Sequence, residues 1–292
     1  MKPHERAPFS AIVDRPPLRL PAGLRLVIWP IVNLEVWEIE RPMARQVLPA
    51  PTGVAVMPDL CNWSWHEYGM RVGVWRFFAA LDAVMARATL SINAEVVDRY
   101  PRVAAAARER NWEFMGHSYV QMPIHLLDDQ RATIHRSLDR LEAFAGKRPV
   151  GWLGPGLTET LETPDLLTEA GVRYVGDWVW DDEPAVIATA HGPLVTLPYT
   201  VELNDIALAM VQHHPSDVFL KRACDQFDRL YREGGARAKI LSFAIHPYIT
   251  GVPHRIRYLE EFLAYARRHE GVAFWTGEQL LDWYRQETGL RS

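Results

Sequence analysis

Three side chains stand out in this sequence as able to do chemistry together: Glu35, His117 and His246. Each lies at or just past the end of a short apolar run, these being Leu24 to Val32, Trp112 to Met115 and Ile240 to Ile245. A carboxylate and two imidazoles at equivalent strand ends can hold a metal ion, or can divide base and acid work between them. Further polar residues follow the other runs: Asn33 beside Glu35, Asn93, Ser118, Gly154–Pro155–Gly156, Asp177 and Tyr199. Asn33 and Glu35 alternate out of a buried strand, which argues against an ordinary solvated loop. His125 follows His117 by eight residues with Pro123 between them, so no helix sets the two on one face, and it stands as a spare metal candidate. His66, His135 and His254 read as surface residues, and His213–His214 as a cap for a helix beginning at Ser216. H-E-x-x-H, G-x-S-x-G and P-loop patterns are all missing, so zinc-protease, serine-hydrolase and nucleotide-hydrolase readings lose their main support.

Residues so far apart in sequence meet only if a sheet brings strand ends together. Short, mostly continuous apolar runs recur at Leu24–Val32, Ala88–Ile92, Trp112–Met115, Pro149–Leu153, Val172–Val179, Leu194–Leu197, Ile240–Ile245 and Val272–Trp275. Stretches of helical periodicity lie between them, at Val72–Met85, Asp128–Ala145, from Ser216 to Gly234, at Tyr258–Arg268 and at Gly277–Gln286. This is the pattern of parallel strands buried on both faces and linked by crossover helices. No linker, composition break or internal repeat interrupts it, so the expectation is an α/β fold with one barrel domain over residues 24–292, preceded by an arm over residues 1–23. A doubly wound sheet is the fallback, but no G-x-G-x-x-G follows any strand. In either fold the site sits at the carboxyl ends of the strands.

Composition narrows the partners. The 292 residues carry 32 Lys and Arg against 36 Asp and Glu, a net charge of −4, which lacks the basic footprint of a nucleic-acid binder. Two cysteines, Cys61 and Cys224, cannot build a disulfide framework. The Pro- and Arg-rich start has no apolar core of signal-peptide length and no later run reaches membrane-spanning length, so a cytoplasmic protein with no membrane partner is expected. Eleven tryptophans need a role; Trp37, Trp63, Trp65, Trp152, Trp178 and Trp180 fall beside strand ends, and Trp29, Trp75, Trp112, Trp275 and Trp283 in runs that read as core.

The order of motifs resembles the polysaccharide deacetylase superfamily, and within it the bacterial allantoinase-like branch. The resemblance runs from Leu24 to Tyr284. It is carried by Val32-Asn-Leu-Glu35, Tyr68-Gly-Met-Arg-Val-Gly-Val-Trp75 and Trp112-Glu-Phe-Met-Gly-His-Ser118, then by Gly151-Trp-Leu-Gly-Pro-Gly156 with Thr158-Glu-Thr160. Leu197-Pro-Tyr-Thr-Val-Glu-Leu-Asn-Asp205 and Ile245-His-Pro-Tyr-Ile-Thr-Gly-Val-Pro-His-Arg-Ile256 complete it. The resemblance implies an irregular (β/α) barrel of seven or eight strands and hydrolysis of a carbon–nitrogen bond that is not a peptide bond. Polysaccharide-active members use an Asp-Asp pair after the first strand, as base and metal ligand, with two more ligands from H-x-x-x-H. Here Asn33 takes the base position, Glu35 the ligand position, and Gln121 the place of the second histidine. His246 matches the histidine that assists the leaving group.

The allantoinase-like branch also lacks the full metal triad and acts on small ring amides. The resemblance therefore implies Glu35, His117 and His246 as catalytic residues, with Glu35 as base or as ligand of a weakly held ion. Asn33, Tyr68, Arg71, Gln121, Trp152, Pro155 and Tyr199 are the expected substrate contacts. The cofactor expectation is none, or a weakly bound divalent metal such as zinc on Glu35, His117 and His125. A small linear or cyclic amide is the expected substrate; a metal-dependent N-deacetylase of an acetamido sugar, and a catalytically silent ligand-binding barrel, are the rival readings. A homo-oligomer in which the arm drapes over a neighbour is a further expectation from the branch.

Overall fold

All nine residues of Leu26–Leu34 are buried, so this segment has no solvated face and must be an interior strand with neighbours on both edges. The computed structural model, which describes residues 1–290, places it there as β1. The other strands are β2 (Thr89–Ile92), β3 (Glu113–Gly116), β4 (Gly151–Trp152), β5 (Tyr174–Val175), β6 (Ala185–Thr189), β7 (Gly192–Thr196), β8 (Ile240–Ile245) and β9 (Val272–Phe274). Their order is β6-β7-β5-β4-β3-β2-β1-β8, with β9 also on β1. Every pairing is parallel except the β6–β7 hairpin.

The result is an irregular (β/α) barrel. Among the described residues no strand pairing joins β6 to β8; the nearest approach to closure is a single bridge between Asn204 and Ala244. Pro30 sits inside the central strand without breaking it. Val27 donates its N–H to Lys239 on the β8 side, so with period two the nitrogen of Pro30 faces the other side. There β9 pairs only with Leu26–Ile28 and β2 only with Ile31–Leu34, which leaves the missing donor at the seam between them.

Eight runs expected to be strands are strands, most trimmed by one to three residues at an end. The run at Val172–Val179 keeps only Tyr174–Val175, because beyond it Asp177 turns to bind the Gly154 amide, 2.7 Å away. The ninth strand, β6, is not among the expected runs; it is a short edge strand of which only Ile187 is fully buried, and its pairing is supplied by β7. Helices at Gln130–Ala145, Val218–Glu233 and Gly277–Thr288 stand close to their expected limits. The one expected at Tyr258 starts earlier, at Pro253, where a proline suits a first helical position. The Val72–Met85 helix begins as a π-helical turn, Gly69–Gly73, before Val74–Ala83.

The arm packs on its own chain. Arg6 is buried, paired with Asp165 at 2.7 Å and bonded to the carbonyls of Leu161 and Ala188. Arg15 pairs with Asp181, and the Trp283 indole donates to the Arg19 carbonyl. These residues are therefore engaged within their own chain. No helix among the described residues is long and apolar enough to cross a membrane.

Candidate active site

Glu35 directly follows β1, His117 directly follows β3 and His246 directly follows β8, so all three stand at carboxyl ends of parallel strands. All three are less than a tenth exposed. Glu35 Oε1 lies 3.4 Å from His246 Nε2 and 3.8 Å from His117 Nε2. Its other oxygen accepts from the Trp37 indole and the Tyr248 hydroxyl, each at 3.1 Å. Burial acts to raise the Glu35 pKa, but the neighbouring imidazoles, the charge of His246 foremost, overcome it and hold the carboxyl well below the usual carboxylate range.

His246 is clamped between two carboxylates. Asp205 accepts from its backbone N–H at 2.8 Å and from Nδ1 at 2.6 Å, and is itself bonded by the Thr250 hydroxyl at 2.7 Å. Burial alone would lower the imidazole pKa; Asp205 and Glu35 push it up to about 10. His117 is held differently. Its Nδ1 is 2.5 Å from the Leu153 carbonyl, which can only accept, so Nδ1 carries the proton and Nε2 is turned toward Glu35. That Nε2 is buried and has no hydrogen-bond partner.

Asparagine and glycine side chemistry sets the spacing of these ends. The Asn93 side chain accepts from the Val36 amide at 2.8 Å and donates to the His117 carbonyl, stitching the ends of β1 and β3 together through β2. Gly73 lets the π-helical turn touch the turn after β8: a Cβ there would stand 2.1 Å from the Pro247 carbonyl oxygen. The Tyr68–Trp75 motif is therefore a docking surface for Pro247–Tyr248, which explains its glycines.

The other expected site residues divide. Asn33 is buried beside Glu35 but spends its amide on the Ile245 carbonyl at 3.4 Å, so it ties β1 to β8. Tyr199 is buried, with its hydroxyl bonded by Asn204, and the charges of Asp205, Asp177 and Glu35 all reach it. Tyr68 is half-buried and engaged by Arg76 at 2.8 Å. Pro155 is buried in the turn after β4 and accepts a bond from Thr158.

Three expectations, those for Trp152, His125 and His66, are corrected, whereas nothing among the described residues competes with a substrate contact at Arg71. Trp152 is not a substrate wall: it is fully buried in the cluster with Ile134, Leu138 and Leu167, because its strand is covered by helices on that face. Arg71 is exposed and makes no ion pair or hydrogen bond among the described residues. His125 is exposed on the short turn Ile124–Leu126 and joins no group of three potential metal ligands among the described residues. His66, read as a surface residue, is buried.

A metal site of the family kind does not fit these side chains. Gln121 stands where a second histidine would, and its amide oxygen accepts from Asn93 at 3.3 Å. The two nitrogens of His246 face Asp205 and Glu35. Among the described residues no three His, Cys, Asp or Glu side chains are grouped to hold an ion. Residue roles that sequence reasoning missed are those of Asp205, Tyr248, Trp37 and His66. Asp205 and Tyr248 lie inside quoted motifs, so they carried a signal; His66 and Trp37 carried none beyond proximity to strand and helix ends.

Comparison with known proteins agrees with this geometry. A family model described as polysaccharide deacetylase matches residues 64–175. A Schizosaccharomyces pombe protein named for polysaccharide deacetylation is 28% identical over 238 residues, covering 74% of each chain. The crystal structure of a probable polysaccharide deacetylase from Pseudomonas aeruginosa PAO1 superposes with a TM-score of 0.83 at 28% identity, covering 95% of this chain and 97% of that one. The crystal structure of PuuE allantoinase does so with a TM-score of 0.85 at 25% identity, covering 95% and 96%. The strand order, the motif sequence and these relatives agree: the chain carries a polysaccharide deacetylase match over residues 64–175 and is similar to that superfamily in fold and sequence.

Proposed function

We propose that the chain hydrolyses a carbon–nitrogen bond, other than a peptide bond, in a small linear or cyclic amide. The observation that carries this reading is the position of Glu35 Oε1 between the Nε2 atoms of His246 and His117, at 3.4 and 3.8 Å. A departing nitrogen needs a proton, and His246 is the residue equipped to give one, since Asp205 and Glu35 keep it charged up to about pH 10. His117 takes the proton of the attacking water on Nε2, the tautomer being fixed by Leu153. Glu35 is held too acidic to be the final proton store, so it orients the water and steadies both imidazoles. This moves the base from Glu35 to His117. The charged His246 also faces the negative charge that develops on the attacked carbonyl.

A second reading, N-deacetylation of an acetamido sugar, is favoured by the polysaccharide deacetylase match. The test is a panel of hydantoin, N-carbamoyl amino acids, succinimide and N-acetylglucosamine, with wild type, Glu35→Gln and His246→Ala. Turnover on the first three, reduced at least ~100-fold in each variant, is expected. Near wild-type rates in both variants would overturn the mechanism, and turnover confined to N-acetylglucosamine would favour the second reading.

A further inference from the structure

His66 is a buried histidine that the mechanism above does not use. Its Nδ1 lies 2.7 Å from the Asn62 carbonyl, which can only accept, so Nδ1 carries the proton. Burial pushes its pKa down to about 4, so the ring is neutral near pH 7 and Nε2 presents a bare lone pair. That nitrogen is buried and has no partner within the protein. A buried polar atom without a partner needs an explanation.

The surroundings say where a partner comes from. The His66 ring packs 4.6 Å from Trp37 and 4.3 Å from Tyr248, centroid to centroid. Those are the two residues that donate to Glu35 Oε2. Trp65 closes a third side at 5.1 Å. The ring is thus held by aromatic walls beside the catalytic carboxylate, and its tautomer is locked from the far side by Asn62. His117 repeats the arrangement, with Nδ1 on a backbone carbonyl and a partnerless Nε2. The His66 Nε2 is therefore a fixed acceptor in an apolar-walled cluster, complementary to a ligand that brings an N–H donor.

Resting on the reading of the site as an amide hydrolase, we propose that His66 is a specificity residue that accepts an N–H from the substrate and so selects a carbamoyl or ureido group over an acetyl group. An acetamide presents a methyl where a carbamoyl presents NH₂. The two groups have nearly the same shape, so only the donor distinguishes them, and a site built to bond an N–H discriminates strongly against an analogue that lacks it.

The experiment uses the isosteric pair N-carbamoylglycine and N-acetylglycine with wild type, His66→Phe and His66→Gln. Wild type should prefer the carbamoyl compound in kcat/KM by at least ~100-fold. His66→Phe keeps an aromatic between Trp37 and Tyr248 but has no acceptor, and should shrink the preference to within about 3-fold by losing the carbamoyl rate alone. His66→Gln offers an amide oxygen and should recover a tenth or more of the lost preference, which separates a missing acceptor from disturbed packing. An equal loss on both compounds in His66→Phe, or no preference in wild type, overturns the assignment. Calorimetric titration of each compound separates the two levels of inference. If neither compound is hydrolysed but wild type binds the carbamoyl compound more tightly and His66→Phe does not, the hydrolase reading fails and the assignment of His66 stands; equal binding overturns it.

Discussion

Asp205 binds His246 at two points, accepting from its backbone N–H at 2.8 Å and from its Nδ1 at 2.6 Å. The two bonds fix both the position and the orientation of the imidazole ring, so Nε2 points toward Glu35, 3.4 Å away. A single carboxylate thus aims the acid and, by its charge, keeps it protonated.

Replacing that carboxylate by an amide separates the two roles. Asp205→Asn can still accept from the His246 backbone but removes the charge, so the raised pKa of His246 falls from about 10. The alkaline limb of the kcat profile then moves to lower pH, with a loss on the order of 10–100-fold at pH 8. Unchanged position of that limb would argue against His246 as the acid.

The same pair makes stability depend on pH in a defined direction. His246 has a raised folded pKa, so its contribution is complete below the ordinary histidine value and is lost as pH rises through about 10. Glu35 has a lowered folded pKa, so its contribution is present above the ordinary carboxylate value and is lost as pH falls through the depressed one. Thermal unfolding of wild type should fall off on both sides of a plateau spanning roughly pH 5 to 6.5. In His246→Gln the alkaline decline should be shallower.

A second buried carboxyl pair titrates the other way. Burial, and then the charge of Glu159, push Asp177 well up, and burial raises Glu159 as well. Asp177 Oδ1 accepts from Gly154 at 2.7 Å, while Asp177 Oδ2 and Glu159 Oε1 are buried without other partners, so one proton between them keeps the pair together. Groups with raised folded pKa values stabilise at low pH and lose that contribution as pH rises through them. Asp177→Asn should therefore be as stable as wild type at pH 5 and more stable at pH 8 in urea titrations. Asp177→Ala should cost about 1–3 kcal/mol at either pH by orphaning the Gly154 amide.

Contact between backbones predicts an intolerant glycine. In Gly73→Ala the new Cβ would meet the Pro247 carbonyl oxygen at 2.1 Å, and neither side is a flexible side chain. The turn carrying Tyr248 and His246 must then move, at a cost of about 1–3 kcal/mol. Activity should fall by more than the loss of folded protein explains, as measured by kcat per folded molecule.

The donor set makes a prediction about metal. Because Gln121 replaces a histidine ligand and is engaged with Asn93, dialysis against EDTA should change kcat/KM by less than about 2-fold, zinc being a poor match to an amide oxygen. A loss restored by added zinc would contradict this.

The strand rhythm was legible because a strand buried on both faces is apolar along most of its length, as β1 and β8 are apart from Asn33 and Ser242. Edge strand β6 was not, since half of its face meets water and its pairing is supplied by β7. Glu35, His117 and His246 could be singled out because a charged or ionisable residue at the end of an apolar run is costly unless it is used.

What the sequence by itself determined is therefore the set of strand ends, the residues on them, and the departure from the metal-binding pattern at Asn33 and Gln121. What only the tertiary structure decided is which neighbours those residues have. Trp152 went to the core and His66 came in from the expected surface, because burial is a property of what packs on a residue and not of the residue itself. The protonation states were decided there too: Asp205 lies 41 positions from His246 in the chain, and only the fold brings the charge that makes an ordinary histidine an acid.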